Sequence, residues 1–305
     1  MTMWDTSTTR AVAGPVDSES FVRAAGHARR RLPAEVQDAL IDLADHSPRQ
    51  GYLLLRNIDI GSVPATPSSP TATTGKDLQS EFALLSMARC LGQPVGYLPE
   101  HNGSIVQNIV PVRGTETRQI STSSGVELKF HTETAFHPYR PRYLLLLCLR
   151  GDRQAGTLLA SIYDIVEHLS SSDLEVLRQS RFRTAVDASF LNGLSSGLGS
   201  AKPILSGSEF DLTFVYDADL MVGIDSEAQD VLERLANAIG KSTKSIVLDA
   251  GDLLVIDNNV AVHGRSPFVA RFDGTDRWLQ RTFVVSDLSP SASDRIGRII
   301  TTTFD

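Results

Sequence analysis

In the segment LKFHTETAFHPYRPRYLLLLCLRGD, from Leu128 to Asp152, His131 and Glu133 stand one residue apart just ahead of an apolar run. In a β-strand, residues i and i+2 point to one face with a rise of about 3.3 Å per residue, so this pair can bring an imidazole and a carboxylate to one ion. His137 shares that face if the strand continues, but it would lie about 20 Å further along by the same rise, too far unless the chain turns back. The third ligand must come from elsewhere. Of the seven histidines, His27, His46 and His168 sit in helical or charged contexts, and His101 lies in the loop LPEHNGS. His263 differs: it follows GDLLVIDNNVAV, a strand with a tight polar turn, and precedes Gly-Arg. Two histidines and one carboxylate form the facial triad of non-haem iron oxygenases, which leaves coordination positions open for a co-substrate and dioxygen. A His-x-Glu triplet alone is more often incidental than metal-binding. Zinc hydrolases also use two histidines and a glutamate, but their usual His-Glu-x-x-His on a helix does not occur here.

The residues after His263 strengthen the iron reading. The stretch GRSPFVARFDGTDRWLQRTFVV carries Arg265, Arg271, Arg277 and Arg281. Arg277 and Arg281 lie four apart in a predicted strand and so share a face. A planar guanidinium grips a carboxylate through two parallel hydrogen bonds. Two such groups beyond a metal ligand suggest two carboxylates to hold, although a surface ion pair is the default for any single arginine.

The elements that must carry these side chains are mostly strands. From Ser104 onward come SIVQNIVPV, VELKFHTETAF, RYLLLLCL, TLLASIYDI, RFRTAV, DLTFVYD, SIVLDAGDLLVIDN and RWLQRTFVV, interrupted by two helical stretches, SSDLEVLRQ and SEAQDVLERLANAIGK. Upstream, PAEVQDALIDLADHS and KDLQSEFALLSMARCLG have helical spacing, with GYLLLRNIDI as a buried strand between them and a Pro-, Ser- and Thr-rich surface loop from Gly61 to Gly75. Many short strands with few helices argue against a doubly wound parallel sheet. The expected fold is mainly β, a sandwich or barrel with flanking α-helices. No domain boundary stands out, so residues 1–305 read as one domain with an N-terminal helical elaboration. Two loops, 113–125 and the Gly/Ser-rich 190–203, are candidate lids.

The chain has 305 residues, 41% hydrophobic and 21% charged, with a formal charge of -7 and no basic block. That length supports a sizeable core, and the charge makes nucleic acid and anionic membrane poor partners. Cys90 and Cys148, both in apolar surroundings, read as buried free thiols rather than a disulfide. The N-terminus lacks a signal-peptide pattern, and YLLLLCL is too short to span a bilayer. A reducing cytoplasm fits best.

The order HTE, AGTLLASIYDI, DNNVAVHGR and DRWLQR resembles the clavaminate synthase-like branch of Fe(II)/2-oxoglutarate dioxygenases, over roughly 103–288. The branch includes hydroxylases of free arginine and asparagine in antibiotic biosynthesis and other specialised metabolism. The resemblance implies a double-stranded β-helix, a jelly-roll or cupin-like core. It implies that His131, Glu133 and His263 hold Fe(II), with 2-oxoglutarate and O2 as co-substrates. Arg277 would then hold the distal carboxylate of 2-oxoglutarate, with Thr157 in support. Arg281 would bind the α-carboxylate of a free L-amino acid. Gln107, Ser121 and the spare oxygen of Glu133 would grip its amino end, and Asp217 would fall where the substrate side chain is recognised. The presence of Glu133 favours hydroxylation over halogenation, since halogenating relatives leave that position vacant.

A carboxylate at Asp217, with Asp219 two residues on, favours a basic or amide side chain, with oxidation at Cβ or Cγ. If both carboxylates instead sit in a polar turn, an apolar substrate is open again. Four alternatives stand beside this reading, a catalytically dead binding protein of the same fold being the last of them. One is a 2-oxoglutarate oxygenase acting on a carrier-tethered or peptide substrate, which would have no free α-carboxylate for Arg281. Another is desaturation or cyclisation by the same centre. The third is a zinc hydrolase on a cupin-like barrel, which has no use for Arg277. The sequence is silent on oligomeric state.

Overall fold

The computed structural model describes residues 14–72, 75–191, 197–208 and 210–304. Its helices are α1 (Glu19–Ala28), α2 (Ala34–Asp45), α3 (Gln79–Leu91), α4 (Ile162–Ile165), α5 (Ser171–Leu177) and α6 (Ser226–Ser242). The strands are β1 (Tyr52–Leu55), β2 (Gln93–Tyr97), β3 (Gln107–Ile109), β4 (Leu128–His131), β5 (Tyr143–Arg150), β6 (Thr157–Ser161), β7 (Phe182–Thr184), β8 (Leu205–Ser208), β9 (Asp211–Phe214), β10 (Met221–Gly223), β11 (Lys244–Ile246), β12 (Leu253–Asp257), β13 (Ala261–Arg265), β14 (Trp278–Val285), β15 (Arg295–Ile296) and β16 (Ile299–Ile300).

Two sheets matter for the site. The larger runs β1-β12-β5-β14-β2-β16-β15, with β3 also on β14. The smaller is antiparallel, β11-β6-β13-β4. The apolar run of β5 is explained by what covers its two faces. Tyr143, Leu145, Leu147 and Leu149 point outward and pack with Leu40 and Leu43 of α2 and Leu84 and Met87 of α3. Leu144, Leu146 and Cys148 point inward, with Leu159 of β6 and Ala261 of β13. A strand buried on both faces needs continuous rather than alternating hydrophobicity. On the far side of the smaller sheet, Ala160 and Val262 pack among Val231, Leu235 and Ile239 of α6. The order through the molecule is helices, sheet, sheet, helix, and the gap between the sheets is where His263 and Thr157 face.

Local chemistry fixes the helix ends. Ser18 accepts from the Phe21 amide to start α1, Ser170 and Asp173 form a reciprocal capping box on α5, and Asp225 accepts from Ala228 at the start of α6. Three expected strands end sooner than their residues suggest. The strand through His131 stops there, where Thr134 takes a positive φ of 49°. TLLASIYDI stops at Ser161, whose hydroxyl accepts from the Tyr163 amide and opens α4. SIVLDAGDLLVIDN divides into β11 and β12 at a turn containing Gly251.

The outer face of β14 is anchored by polar groups. Trp278 Nε1 donates to Asn108 Oδ1 at 2.9 Å, and Gln280 Nε2 donates to Glu81 Oε1 of α3 at 2.8 Å. Glu81 is itself paired with Lys76 in a buried setting. Cys148 is buried and Cys90 half-buried, so only one of the two expected buried thiols is fully enclosed; both are free. Among the described residues no helix is long and apolar enough to cross a membrane.

Candidate metal and co-substrate site

His131, Glu133 and His263 converge, although not as a single strand would bring them together. Each offers a ligand atom within 4.8 Å of the others'. The imidazole rings lie 4.3 Å apart between centroids, and His263 Nε2 is 3.5 Å from Glu133 Oε2. His263 arrives by cross-strand pairing, opposite His131 on β4 and Leu159 on β6. Gly264 makes that approach possible: a Cβ there would meet Leu128 O at 2.5 Å. Glu133 is beyond the end of β4, in the turn that carries the strained Thr134. Its backbone is clamped by the fully buried Asn258, whose Oδ1 accepts from Glu133 N at 2.6 Å and whose Nδ2 donates to Glu133 O at 3.1 Å. A β-branched residue in the left-handed region costs energy and persists only where its surroundings impose it.

The donor set suits a divalent cation. His131 Nδ1 lies 2.8 Å from the Lys129 carbonyl, an arrangement that holds the proton there and leaves Nε2 as the lone-pair donor. Burial pushes the His263 imidazole down to about 4, and the neighbouring His131 adds to this, so the ring is neutral at pH 7. Burial pulls the Glu133 carboxyl upward, but the Arg281 guanidinium and the two imidazoles outweigh it and hold the group ionised. Glu133 Oε2 is buried with no hydrogen-bond partner among the described residues. A buried, ionised oxygen of that kind facing two imidazoles fits a bound Fe(II).

The cluster opens into a cavity of about 630 Å³ lined on one side by Leu144, Leu146, Thr157, Arg277 and Leu279. The Arg277 side chain is buried, and its guanidinium makes no hydrogen bond or ion pair to the described residues. Burial pushes it down to about 10, so it is still cationic at pH 7. Thr157 Oγ1 is likewise buried and unpartnered. A cation beside β14 and a hydroxyl on β6, both unmatched and lining the same cavity, are suited to a carboxylate. The turn before Arg277 is closed by Asp276, which accepts from the Arg271 and Phe272 amides.

Arg281 is in a different state. Gln107 faces it across the β3–β14 pair, and Gln107 Oε1 accepts from Arg281 Nε at 2.9 Å and Nη2 at 2.6 Å. Nη2 also meets Glu100, and Nη1 is 3.5 Å from Glu133 Oε1. Gln107 therefore stands behind Arg281 and is not on the cavity wall, whereas Ser121, Asp217 and Arg281 are. Asp217 is next to His131 through an isolated bridge, and its Oδ1 accepts from the Asp219 and Leu220 amides. Asp217 thus closes a polar turn and also lines the cavity.

Nothing in the sequence singles out Glu100. It is half-buried beside Arg281 with Oε2 enclosed and unpartnered, and burial pushes its carboxyl up. Its loop, LPEHNGS, has no periodicity to flag it, and only the structure shows the two residues that follow it, His101 and Asn102, at positive φ. Arg265 lines the cavity but spends its guanidinium on Ser123 and Val126, which ties down the base of loop 113–125. The half-exposed Arg271 pairs with the enclosed Asp152 carboxylate at 3.3 Å. His137 is buried among aromatic rings, away from the metal cluster. Residues Arg118–Thr122 of the first candidate lid line the cavity. The second, 190–203, includes 192–196, outside the described residues; Phe190 at its start lines the cavity.

Comparison with known proteins agrees with this geometry. The family model described as taurine catabolism dioxygenase TauD, TfdA family matches residues 27–193. An L-lysine 3-hydroxylase of Catenulispora acidiphila is 38% identical over 94% of this chain and 82% of its own length. Clavaminate synthase 2 of Streptomyces clavuligerus is 31% identical over 93% of this chain and 90% of its own. Among solved structures, an asparagine oxygenase in complex with Fe(II), 2S,3S-3-hydroxyasparagine and succinate superposes with a TM-score of 0.90 at 34% identity, covering 98% of this chain and 94% of that one.

Proposed function

The chain belongs to the TauD/TfdA dioxygenase family, and from that premise we propose that it is a hydroxylase of a free L-amino acid with a basic or amide side chain, acting at Cβ or Cγ. The observation that carries the reading is the pairing, in one cavity, of the His131–Glu133–His263 cluster with the unmatched Arg277 guanidinium. In this reading the three clustered side chains hold Fe(II), and the two packed sheets form a jelly-roll core within a single domain. When bound there, Fe(II) with 2-oxoglutarate and O2 supplies the oxidising power for an unactivated C–H bond.

The protein's own part is to bind, orient and exclude water. Arg277 and Thr157 anchor the far carboxylate of 2-oxoglutarate, so the co-substrate enters in one direction. Arg281, held flat by Gln107 and flanked by Glu100 and Glu133, meets the α-carboxylate. Its two flanking acids and Ser121 are suited to an α-ammonium, and an alternation of opposite charges stabilises a zwitterion better than any single pair would. Asp217 faces the side chain. The head group so held presents Cβ or Cγ to the metal cluster. The names of the relatives, a lysine 3-hydroxylase and a 3-hydroxyasparagine complex, support Cβ.

The test is reconstitution with Fe(II) under anaerobic conditions, addition of 2-oxoglutarate and O2, and a screen of free L-amino acids for succinate release coupled to a product heavier by one oxygen. Turnover with asparagine, lysine, arginine or citrulline and none with leucine is expected. Coupled oxidation of leucine alone, or product NMR placing the new hydroxyl beyond Cγ, refutes the proposal.

A further inference from the structure

Lys129 is two residues before His131 on β4 and lines the same cavity as Asp217, Asp219 and Leu220. Its ammonium is 2.6 Å from Asp219 Oδ1, with both side chains partly exposed. Its backbone is held on both sides: the amide donates to Gln119 Oε1 at 3.0 Å, and the carbonyl meets His131 Nδ1 at 2.8 Å. The base of the side chain is therefore fixed, and the ammonium is delivered to the wall opposite the arginines.

We propose that Lys129 tunes side-chain specificity: by pairing with Asp219 it leaves Asp217, rather than two carboxylates, to face the substrate, and so shifts the preference from ammonium or guanidinium side chains toward neutral amide or ureido ones. The inference rests on the amino-acid hydroxylase reading above and narrows its substrate class. Formally, the wall carries two carboxylates and one ammonium. Asp217 can accept a hydrogen bond from an amide N–H, while a substrate cation meets the Lys129 charge at close range and has to displace it to reach Asp219. An unpaired charge in partly solvated surroundings shifts the preference between a cation and its neutral isostere by about tenfold.

Two isosteric comparisons, one long and one short, make this testable whatever the length of the true substrate: citrulline against arginine, and asparagine against 2,4-diaminobutyrate. Lys129→Met keeps the aliphatic stem and removes the charge; Lys129→Arg keeps the charge. Equilibrium binding is measured by calorimetry on anaerobic protein loaded with a redox-inert divalent ion and 2-oxoglutarate, and kcat/KM is measured on the iron enzyme. In Lys129→Met the cation-to-neutral ratio is expected to rise about tenfold in binding and in kcat/KM, with the KM for 2-oxoglutarate unchanged, while Lys129→Arg keeps the original ratio. A ratio unmoved in Lys129→Met, or moved equally by Lys129→Arg, overturns the proposal. Binding without oxidation of any of the four counts against the hydroxylase reading and leaves the ratio to decide for Lys129. Failure of all four to bind overturns both.

Discussion

Replacing Arg277 with methionine should make the protein more stable and less competent in the same stroke. The guanidinium is buried without a partner among the described residues, and burial pushes it down from the ordinary arginine value to about 10. At about 1.4 kcal/mol per unit, keeping that charge in the folded state costs about 3 kcal/mol at pH 7. The sign follows from the depressed value: the group is protonated in both states at pH 7, so the cost is fully present there and disappears only as pH rises through about 10 toward the ordinary arginine value. Methionine keeps most of the apolar stem and removes the charge, so urea unfolding of the metal-free protein without 2-oxoglutarate should gain about 1 to 3 kcal/mol, after allowance for imperfect packing. The same change removes a charge-assisted, two-bond grip on the co-substrate. Calorimetry with a redox-inert metal should then record 2-oxoglutarate binding weakened by about 3 to 4 kcal/mol, two to three powers of ten. Co-substrate should raise the melting temperature of the parent far more than that of the variant. If Arg277→Met lost more than about 1 kcal/mol of apo stability or bound 2-oxoglutarate within about threefold of the parent, the guanidinium would be a structural group and its assignment to the co-substrate would be wrong.

Thr157→Val removes a buried, unpartnered hydroxyl and should leave unfolding midpoints nearly unchanged while raising the KM for 2-oxoglutarate by about five- to tenfold. Asn258→Ala strips three buried backbone groups, on Glu133 and Pro141, of their partner. It should cost about 3 kcal/mol in urea unfolding and weaken divalent metal binding by about 10- to 100-fold in a competition titration. His137 accepts the Tyr139 amide on Nδ1 at 2.9 Å, and burial pushes it down to about 4. The unfolded chain therefore takes up the proton first as pH falls below about 6.5, and stability present above that value is lost toward pH 4, by about 3 kcal/mol from this residue. In His137→Asn, which retains an acceptor, the slope of unfolding free energy against pH in that window should be shallower by up to about 1.4 kcal/mol per unit. An unchanged slope would contradict the burial argument.

How much the sequence reveals depends on how local the signal is. The β5 run, α2, α3 and α6 are visible because periodicity and burial are written in neighbouring residues. The His-x-Glu pair and His263 stand out because their residue types are scarce and chemically specific. The geometry that unites them does not: β4 ends at His131, and Glu133 is positioned by Asn258, 125 residues away in the chain. Helix α1 goes unread although Phe21, Val22, Ala25 and Ala28 follow a helical stripe, since its partner surface on α3 cannot be foreseen. Glu100 and the Lys129–Asp219 pair escape for the same reason. An acid in a loop and a lysine on a strand read as solvated until the fold turns both toward one cavity. Gln107 is recognisable as significant, but its place opposite Arg281 is set by strand pairing and is not written in its neighbours.

The anchoring on the outer side of β14 reaches further than its own contacts. Side chains alternate along a strand, so a slip of a single residue would turn the indole of Trp278 and the amide of Gln280 into the cavity and both guanidinium groups toward the helices. The bonds to Asn108 and Glu81 oppose that slip. Affinity for the keto acid is thus partly guarded by a glutamate on α3 that never meets it, and substitutions at Glu81 should mimic loss of an arginine on the far side of the sheet.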